Sequence, residues 1–377
     1  MKAVLSSTDF SSLLKLASSP IKNDPVKDAD VGGYGRIEVR ENRIIVESTS
    51  STMSARAVGE VESGEDGHCC IQLDTIAEML KVMPVGEKSS IEYVDSRLKL
   101  KVGKSRCSFG CIDPDTIAPL RAIPEDLPRI VLKLENLVGA ISAASVSGEV
   151  NDADGVRSNV LLETMDGKLW AVATDNIRCS IVPAGECRQG FRSTISIKGA
   201  KALRAFDCED ITIVELGASI VFLDSIGSYI QFQQSEQAAK SFPNFRPIMG
   251  IEHIDELKLS TERFTTVMSG ANKVNPQECV MVVEDEEVVV MNVRPSDGTE
   301  YRGVAAYDGR PGYDIRVGLC PLLIAEFLKT LSSDSLSLFF SSDRNQLNSP
   351  GHIMIRDESG SIFFVKSLVC LVETPKL

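Results

Sequence analysis

The stretch IEVRENRIIV at residues 37–46 recurs twice further along the chain. Its counterparts are LETMDGKLWA at 162–171 and MVVEDEEVVV at 281–290. Each copy is an apolar run, a polar two-residue turn and a second apolar run, which is the pattern of a β-hairpin. The copies begin 125 and 119 residues apart, a period about one domain long. The repeat therefore predicts three related domains in tandem rather than a solenoid of short units.

The other elements recur in the same order in each third of the chain. A short strand leads into an amphipathic helix before each hairpin, with Phe10, Leu137 and Phe264 on the apolar stripes of the three helices. A second helix and a set of alternating strands follow each hairpin. The predicted fold class is α+β, with three tandem domains that each contain two strand–helix–strands units.

The domain boundaries fall where this pattern resets. A linker with three prolines runs from Ile117 to Pro128, and a second linker runs from Pro247 to Asp255. We therefore expect domains at 1–118, 128–248 and 255–377.

Composition limits the classes of function. The chain has 377 residues, 43% of them hydrophobic and 25% charged, as is ordinary for a globular protein. No apolar run approaches the ~20 residues of a membrane span, and the N-terminus does not resemble a signal peptide, so a cytoplasmic location is expected. The net charge of −13 argues against nucleic acid as a partner, unless an acidic outside surrounds a basic inner surface.

The ten cysteines do not form a recognisable metal or disulfide pattern. There is no C-x-x-C spacing, and most of the cysteines lie in apolar runs, where a thiol behaves as a small hydrophobe. His68 beside Cys69 and Cys70 is the one cluster to weigh as a zinc site, and it lacks four ligands at a known spacing. No metal or cofactor is predicted, and no catalytic motif is present.

Three short motifs resemble one family. VATDNIR at 172–178 resembles V-A-T-D-x-x-R, FPNFR at 242–246 resembles F-P-[DN]-[YF]-R, and RCSF at 106–109 resembles R-F-S-L, all of the bacterial DNA sliding clamp, the beta subunit of DNA polymerase III. With the threefold repeat, the resemblance covers essentially the whole chain. The C-terminus departs from the family, which usually ends close to M-P-[MV]-R-L, because here ETPKL stands at 373–377.

The resemblance implies a non-catalytic processivity factor. Such a protein closes into a homodimeric ring around duplex DNA, without sequence preference, and tethers a DNA polymerase, a clamp loader and other clamp-binding proteins. No membrane partner is implied. The residues alone leave two alternatives open, an enzyme with no readable motif and a repeat-built adhesion or shell protein.

The resemblance also implies a peptide-binding pocket between the second and third domains. The matching positions come from the two longer motifs and from the C-terminus. They are Thr174, Asn176, Arg178, Cys179, Pro243, Arg246, Ile248, Leu371, Val372, Pro375, Lys376 and Leu377. The altered tail is expected to change the preferred peptide.

A DNA channel would use cations on inward-facing helices and loops to meet phosphates. The candidates are Lys15, Lys22, Lys27, Lys81, Lys198, Lys201, Arg204, Lys273 and Lys329. Lys198, Lys201 and Arg204 form a basic stripe. Lys81 and Lys329 each follow a glutamate by three residues, so a surface ion pair is an equal alternative for both.

The ring implies a head-to-tail contact between domains one and three of two copies. The residues expected there are Cys107, Phe109, Val267, Ser269 and Gly270. Cys107 stands where the family has a bulky aromatic residue, so the contact is expected to be weaker than usual.

Overall fold

The computed structural model describes residues 1–23, 33–149, 155–234, 236–249, 256–284, 286–309, 314–341, 352–366 and 369–373. Its strands are β1 (Lys2–Ser6), β2 (Tyr34–Arg40), β3 (Arg43–Thr49), β4 (Met53–Glu60), β5 (Ser63–Glu65), β6 (Gly67–Gln72), β7 (Lys88–Val94), β8 (Arg97–Val102), β9 (Ser105–Gly110), β10 (Ile130–Lys133), β11 (Asn159–Met165), β12 (Lys168–Thr174), β13 (Arg178–Glu186), β14 (Arg192–Ser196), β15 (Asp210–Leu216), β16 (Ser219–Leu223), β17 (Tyr229–Gln233), β18 (Glu256–Ser260), β19 (Cys279–Glu284), β20 (Glu287–Val293), β21 (Glu300–Asp308), β22 (Asp314–Leu319), β23 (Ser335–Ser341), β24 (His352–Asp357), β25 (Ile362–Lys366) and β26 (Val369–Glu373).

Fewer residues form helices. The α-helices are α1 (Ser7–Ala17), α2 (Ser19–Asn23), α3 (Leu73–Lys81), α4 (Leu134–Ser145), α5 (Ile197–Ala200), α6 (Glu236–Ser241), α7 (Arg246–Met249), α8 (Thr261–Val274) and α9 (Pro321–Leu328), and 3₁₀ turns span Pro114–Thr116 and Lys201–Ala205. None of the helices in the described ranges is long and apolar enough to cross a bilayer.

The three predicted hairpins are confirmed. β2 pairs with β3, β11 with β12, and β19 with β20, each antiparallel. In the first hairpin both turn residues, Glu41 and Asn42, have positive φ, and in the second Asp166 and Gly167 do. Two consecutive positive φ values are typical of the type I′ turn, whose twist matches that of the strands it joins.

The chain divides into two compact units. One contains Met1–Val138 with Ile195–Gln237, and the other contains Gly139–Thr194 with Ala238–Leu377. None of the three boundaries between these units, at 138/139, 194/195 and 237/238, coincides with a predicted linker. Sheets continue across both predicted domain borders, because β4 pairs with β17 and β13 pairs with β25. The three-domain division therefore stays a prediction.

Each unit has its own sheets. The first unit contains a five-stranded sheet in the order β5-β1-β7-β8-β9 and an eight-stranded sheet in the order β10-β15-β16-β17-β4-β3-β2-β6. The second unit contains a 13-stranded sheet in the order β14-β11-β12-β13-β25-β24-β23-β18-β21-β20-β19-β22-β26, whose first strand extends into the first unit. All of the strand pairs described are antiparallel.

Two of the longer helices, α1 and α8, begin at capping residues, and each buries one stripe. Ser6 and Ser260 accept hydrogen bonds from backbone N–H groups in the first turns of α1 and α8. Phe264 of α8 and Phe327 of α9 are buried in the core of the second unit, where Phe327 stacks on Phe363 with ring centroids 4.6 Å apart.

The second helix predicted for domain two is shorter than its counterparts. α5 makes a single turn after its cap Ser196 and continues as the 3₁₀ turn Lys201–Ala205. Gly199 lies in that first turn, and glycine has low helix propensity. The tighter 3₁₀ turn still buries Ala202 and Leu203.

A segment between the predicted first and second domains crosses the outer face of the eight-stranded sheet. We call residues 112–127 the first covering segment. The buried Glu47 carboxylate accepts a hydrogen bond from Leu120 N–H at 3.2 Å, and Arg56 Nη1 donates to the Leu120 carbonyl at 3.0 Å. Leu120, Ile123 and Leu127 pack against an apolar cluster on β15, β16 and β17. The segment is therefore fixed to the sheet by a buried carboxylate and by apolar contacts.

Burial raises the pKa of Glu47, although Arg56 lies 3.2 Å from its other carboxylate oxygen. Glu47 therefore holds its proton to higher pH in the folded chain than in the unfolded chain, so the parent should lose stability as pH rises from 4.5 through the raised folded-state pKa. Glu47→Gln lacks this titration. We therefore compare the two unfolding free energies. The difference, parent minus variant, should fall as pH rises from 4.5 through the folded-state pKa and should stay constant at higher pH.

Urea unfolding of both proteins at pH steps from about 4 to 8 measures that difference. A difference that grows with pH would mean that the Arg56 pair, and not burial, dominates at Glu47.

Candidate functional site

The first motif forms a tight loop between β12 and β13. Thr174 Oγ1 donates to the Arg178 carbonyl at 2.7 Å and accepts from Asn176 N–H at 3.1 Å. Asp175 Oδ1 accepts from the N–H groups of Ile177 and Arg178. Asn176 has a φ of 72°, in the left-handed region where asparagine is among the better-tolerated residues. These hydrogen bonds fix the backbone of the loop. The Thr174 hydroxyl and the Asp175 carboxylate therefore already have hydrogen-bond partners within the loop.

Arg178 is held by two carboxylates. Its Nε donates to Asp175 Oδ2 at 3.0 Å and its Nη1 donates to Glu326 Oε2 on α9 at 2.9 Å. Only 10% of the side chain is exposed, whereas Glu326 is 42% exposed. The resemblance assigns Arg178 to the peptide-binding pocket, and in the structure its side chain ties the loop to α9.

The floor beside this loop is apolar and comes from four parts of the second unit. Cys179 and Ile181 of β13 lie in one buried cluster with Phe242 and Phe245, against which Ile248 packs. The other members of the cluster are Leu161, Trp170, Val172, Phe339, Met354 and Ile362. Burial raises the pKa of the Cys179 thiol to about 12, so this sulfur packs as a neutral apolar group.

The second motif belongs to a segment that crosses the outer face of β11, β12 and β13. We call residues 238–249 the second covering segment. The buried Glu163 carboxylate accepts from Arg246 Nη2 at 2.6 Å and from Arg192 Nη1, and Arg192 Nη2 also donates to the Ala239 carbonyl at 3.2 Å. Arg246 is thereby anchored while most of its side chain stays exposed.

The structure therefore brings Cys179 and Ile248 into one apolar cluster and places Pro243 and Arg246 on the segment that covers it. Leu371 and Val372 lie in β26, which pairs with β22 at the far edge of the sheet from β14. Pro375, Lys376 and Leu377 lie outside the described residues.

Sequence reasoning missed several groups at this site. Phe242 and Phe245 are in the quoted motif, so their burial could have been read from it. Met354 and Phe364 carry no local signal, because they reach the site only through the pairing of β13 with β25. Glu326 belongs to a helix 148 residues from Arg178 and could not have been identified as its partner.

Six candidate DNA-contacting cations lie on a helical layer of the first unit. α1 packs against α3 and against the 3₁₀ turn Lys201–Ala205, and α2 packs against that same turn and against α5. The layer carries Lys15, Lys22, Lys81, Lys198, Lys201 and Arg204. Lys22 pairs with Asp74 at 3.0 Å and Lys81 with Glu78 at 2.6 Å, so the ion-pair alternative holds for Lys81. Lys201 and Arg204 are exposed one 3₁₀ turn apart, which aligns them on one face.

The remaining cations divide between the second unit and the undescribed residues. Lys273 ends α8 and Lys329 follows α9, and both are exposed. Lys329 lines an open cavity of about 580 Å³ that Glu262 and Asp334 also line, so charges of both signs meet there. Lys27 lies outside the described residues.

The residues predicted for the dimer contact lie at one sheet edge and on one helix. Cys107 and Phe109 share one face of β9, the edge strand of the five-stranded sheet. Val267 is buried in the core of the second unit, and Ser269 and Gly270 are partly exposed. Gly270 is required there because a Cβ would collide with the ring of Tyr301, whose hydroxyl donates to the Val267 carbonyl at 3.0 Å.

The cluster His68-Cys69-Cys70 has a structural role in the first unit. His68 Nε2 lies 3.2 Å from Asp115 Oδ1, and Cys70 Sγ donates to the Pro114 carbonyl at 3.1 Å. Both contacts hold the first covering segment. Within the described ranges, no group of three or more histidine, cysteine or acidic side chains is placed to hold a metal.

No protein-family model matches the chain, and no curated protein matches it. Solved structures do. The DNA polymerase III subunit beta from Pseudomonas aeruginosa is 14% identical with a TM-score of 0.83, covering 98% of this chain and 100% of the other. The beta subunit from Thermotoga maritima is 13% identical with a TM-score of 0.83, covering 97% and 99%. The Helicobacter pylori beta clamp bound to a DNA ligase peptide is 14% identical with a TM-score of 0.81, covering 98% and 100%. The likeness confirms the predicted α+β clamp fold.

The contacts of Arg178 predict an effect on stability. Arg178→Ala removes the only described partner that Asp175 and Glu326 share and leaves two carboxylates close together. We expect a loss of ~2 kcal/mol in unfolding free energy. Glu326→Gln is the matched control and should cost under ~1 kcal/mol, because the Glu326 side chain is partly exposed and the Asp175 pair survives. Urea unfolding of the parent and the two variants checks both values. Equal small losses in the two variants would contradict the role of Arg178 as the shared partner of Asp175 and Glu326.

Proposed function

We propose that this chain, which has the fold of the bacterial sliding clamps, is itself a DNA sliding clamp. It would act without catalysis, as a ring around duplex DNA that tethers a DNA polymerase and other DNA-acting proteins. The observation that carries the proposal is the full-length likeness to those clamps. Tethering raises the effective concentration of a polymerase at its template, which converts a dissociating enzyme into a processive one.

We propose that the ring closes as a homodimer through two equivalent head-to-tail contacts. Support comes from unpaired sheet edges in each unit. β9 pairs only with β8 among the described strands, and the Glu300–Ala306 part of β21 is paired only with β20. Cys107 and Phe109 of one copy would then face Ser269 and Gly270 of the other, while Val267 supports that surface from the core.

DNA phosphates would contact the cations of the helical layer, together with Lys273 in α8 and Lys329 directly after α9. Phosphate contacts of this kind carry no sequence information and are screened by salt. An acidic chain with cations gathered on one layer suits this role, because the acidic remainder discourages DNA from binding elsewhere.

Partner peptides would dock beside the loop at Thr174–Arg178. The apolar floor around Cys179 and Phe245 supplies a preformed surface, and the anchored Arg246 and the loop supply polar groups at its border. Pro375, Lys376 and Leu377, which lie outside the described residues, would complete the pocket, as the resemblance implies. The three predicted domains, 1–118, 128–248 and 255–377, are the proposed repeating units of the ring.

Replacing Lys198 and Lys201 together by glutamate should weaken DNA binding without unfolding the chain. The two substitutions reverse two positive charges on the helical layer, so the affinity for a fluorescent 30-base-pair duplex should fall at least tenfold at low salt. Fluorescence anisotropy across a salt series measures it, and the slope of log affinity against log salt should become shallower by about two.

The matched control reverses Lys99 and Lys101, two exposed lysines of β8. That variant has the same net charge and should bind DNA like the parent. Sedimentation should give twice the chain mass of 40.9 kDa for all three proteins at micromolar concentration. A parent that is monomeric, or two double variants that bind DNA equally, would contradict the proposed ring.

Removing Pro375–Leu377 should weaken peptide binding, because one wall of the pocket is lost while β26 ends before the deletion. The DNA ligase peptide seen with the Helicobacter pylori clamp is a suitable probe, titrated by calorimetry. We expect at least a tenfold loss, about 1.4 kcal/mol. Arg246→Ala should lose less, since it removes one contact at the border. Equal affinity of the full-length and shortened chains would place the peptide site elsewhere.

A further inference from the structure

Two strand pairs join each predicted repeat to the next. β4 of the first repeat pairs with β17 of the second, and β13 of the second repeat pairs with β25 of the third. In both pairs the earlier strand follows the repeated hairpin, and the later strand is the third one after α5 or α9. The strands left in the same positions are β21, after the third hairpin, and β9, the third strand after α3. In the proposed ring, β9 of one copy would therefore meet β21 of the other.

The repeated hairpin aligns the earlier strand of each junction. The ten-residue stretch recurs at 37–46, 162–171 and 281–290, and the residue directly after each copy pairs with one residue of β4, β13 or β21. These pairs are Glu47 with Arg56, Val172 with Ile181, and Met291 with Arg302. Arg56, Ile181 and Arg302 are therefore equivalent positions in the three repeats.

The later strands align by a count across paired strands from the first helix of each repeat. The residue four positions before α1, α4 or α8 begins a ladder of directly paired residues across four strands. The three ladders are Ala3, Ile91, Leu100 and Cys107; Ile130, Ile213, Phe222 and Ile230; and Leu257, Leu338, Ile355 and Phe363. The last residues of the ladders are equivalent. The residues directly before them, Arg106, Tyr229 and Ile362, are therefore a second equivalent set.

The two junctions within the chain have the same register at these positions. Their pairs are Arg56 with Tyr229 and Ile181 with Ile362. Because these junctions agree residue for residue, the same register at the contact between copies would pair Arg106 of one copy with Arg302 of the partner copy. One row further along, Ser108 would face Glu300 of the partner copy.

This register lines up three cations. Lys101 pairs with Arg106, so Lys101, Arg106 and the partner copy's Arg302 would stand opposite one another across three strands. All three are exposed, and within the described residues Lys101 and Arg106 form no ion pair. Arg302 lies 4.0 Å from Glu284, but both side chains are more than half exposed, so this pair contributes little. Like charges directly opposite each other destabilise a strand pair.

The first junction compensates its arginine at this position, and the third repeat does not do so in the same way. Arg56 lies 3.2 Å from the carboxylate of Glu47, its cross-strand neighbour. The cross-strand neighbour of Arg302 is Met291, which carries no charge. The partner copy's Glu300 would lie in the next row, beside Ser108, where Arg97 donates to the Ser108 hydroxyl at 2.8 Å. The row of three cations therefore lacks the anion that the first junction contains.

We propose that the contact between copies binds a small oxyanion such as phosphate, between Arg106 of one copy and Arg302 of the other. Guanidinium groups offer planar forks of N–H donors that suit phosphate oxygens, and Lys101 adds a third positive charge. A closed ring contains two such sites and a free monomer contains none, so anion binding and ring closure stabilise each other. The proposal rests on the ring proposed above, and its tests separate the two.

Phosphate should tighten the dimer. Sedimentation measures the dissociation constant in chloride alone and with about 10 mM phosphate, both at an ionic strength of ~0.15 M, so that screening is equal. Because each ring has two sites, the constant of the parent should fall about tenfold or more in phosphate. Arg302→Gln and Arg106→Gln should each dimerise more tightly than the parent in chloride, because the like-charge pair is gone, and neither should respond to phosphate.

Arg316→Gln is the matched control, because it removes one exposed arginine of β22 outside the proposed contact. It should respond to phosphate like the parent. A parent dimer that ignores phosphate overturns the anion site but leaves the ring. So does an Arg302→Gln variant that dimerises more weakly than the parent or still responds to phosphate. A parent that stays monomeric in both buffers overturns the ring and the site together.

Cysteine cross-linking tests the register by itself. Ser108→Cys combined with Glu300→Cys should join two copies in diamide, which takes up two hydrogen atoms as the disulfide forms. Ala306→Cys in place of Glu300→Cys is the matched control, since it is exposed on the same face of β21 but ~20 Å further along. The control pair should not cross-link. Equal cross-linking of the two pairs, or none in a protein that sediments as a dimer, overturns the register and the site.

Discussion

A β-sheet has two faces, and in this chain the helices cover only one of them. The other face of the first two hairpin sheets is closed by the polypeptide that leaves each repeat, and each closure contains a buried carboxylate. Glu47 binds Leu120 N–H and lies beside Arg56, and Glu163 binds Arg192 and Arg246. A buried carboxylate is costly without partners, so each one selects a single path for the segment that supplies them.

This constraint explains why the segments between the repeats are not free hinges. Tyr229 donates its hydroxyl to the Arg121 carbonyl at 2.9 Å, and burial raises the pKa of Tyr229 to about 12. Phe242 and Phe245 are buried on the other sheet. The same residues that connect successive repeats thus complete the outer wall of each sheet, and they also form the border of the proposed peptide site.

The hairpins were predictable from sequence because their signal is local. Glu41-Asn42 and Asp166-Gly167 are turn residues that tolerate positive φ, and apolar runs flank them. The sheets beyond the hairpins were not predictable in this way. β4 pairs with β17 and β13 with β25, and those partners are far apart in sequence, so no local pattern identifies them. The two compact units follow from these pairings, whereas the repeat indicates three domains.

The same difference between local and tertiary signals applies to the candidate site. Thr174, Asp175 and Arg178 could be named from the motif, since each makes a bond within five residues of itself. The ion pair of Arg178 with Glu326 and the packing of Cys179 on Phe245 depend on tertiary structure, and a single sequence contains no signal for them. The motif therefore predicts where the candidate site lies, but not the interactions that stabilise the residues there.

If the chain is the clamp proposed above, the electrostatics of the helical layer suit weak and mobile contact with DNA. Lys22 and Lys81 are already paired with carboxylates, so their net attraction for phosphate is reduced. Lys15 and Lys201 are exposed and form no ion pair within the described ranges, and the 3₁₀ turn aligns Lys201 with Arg204. A few exposed cations on an acidic chain would attract phosphates without fixing a register. The proposed ring would need no more than this, because topological enclosure, and not affinity, would keep it on DNA while salt-sensitive contacts would let it slide.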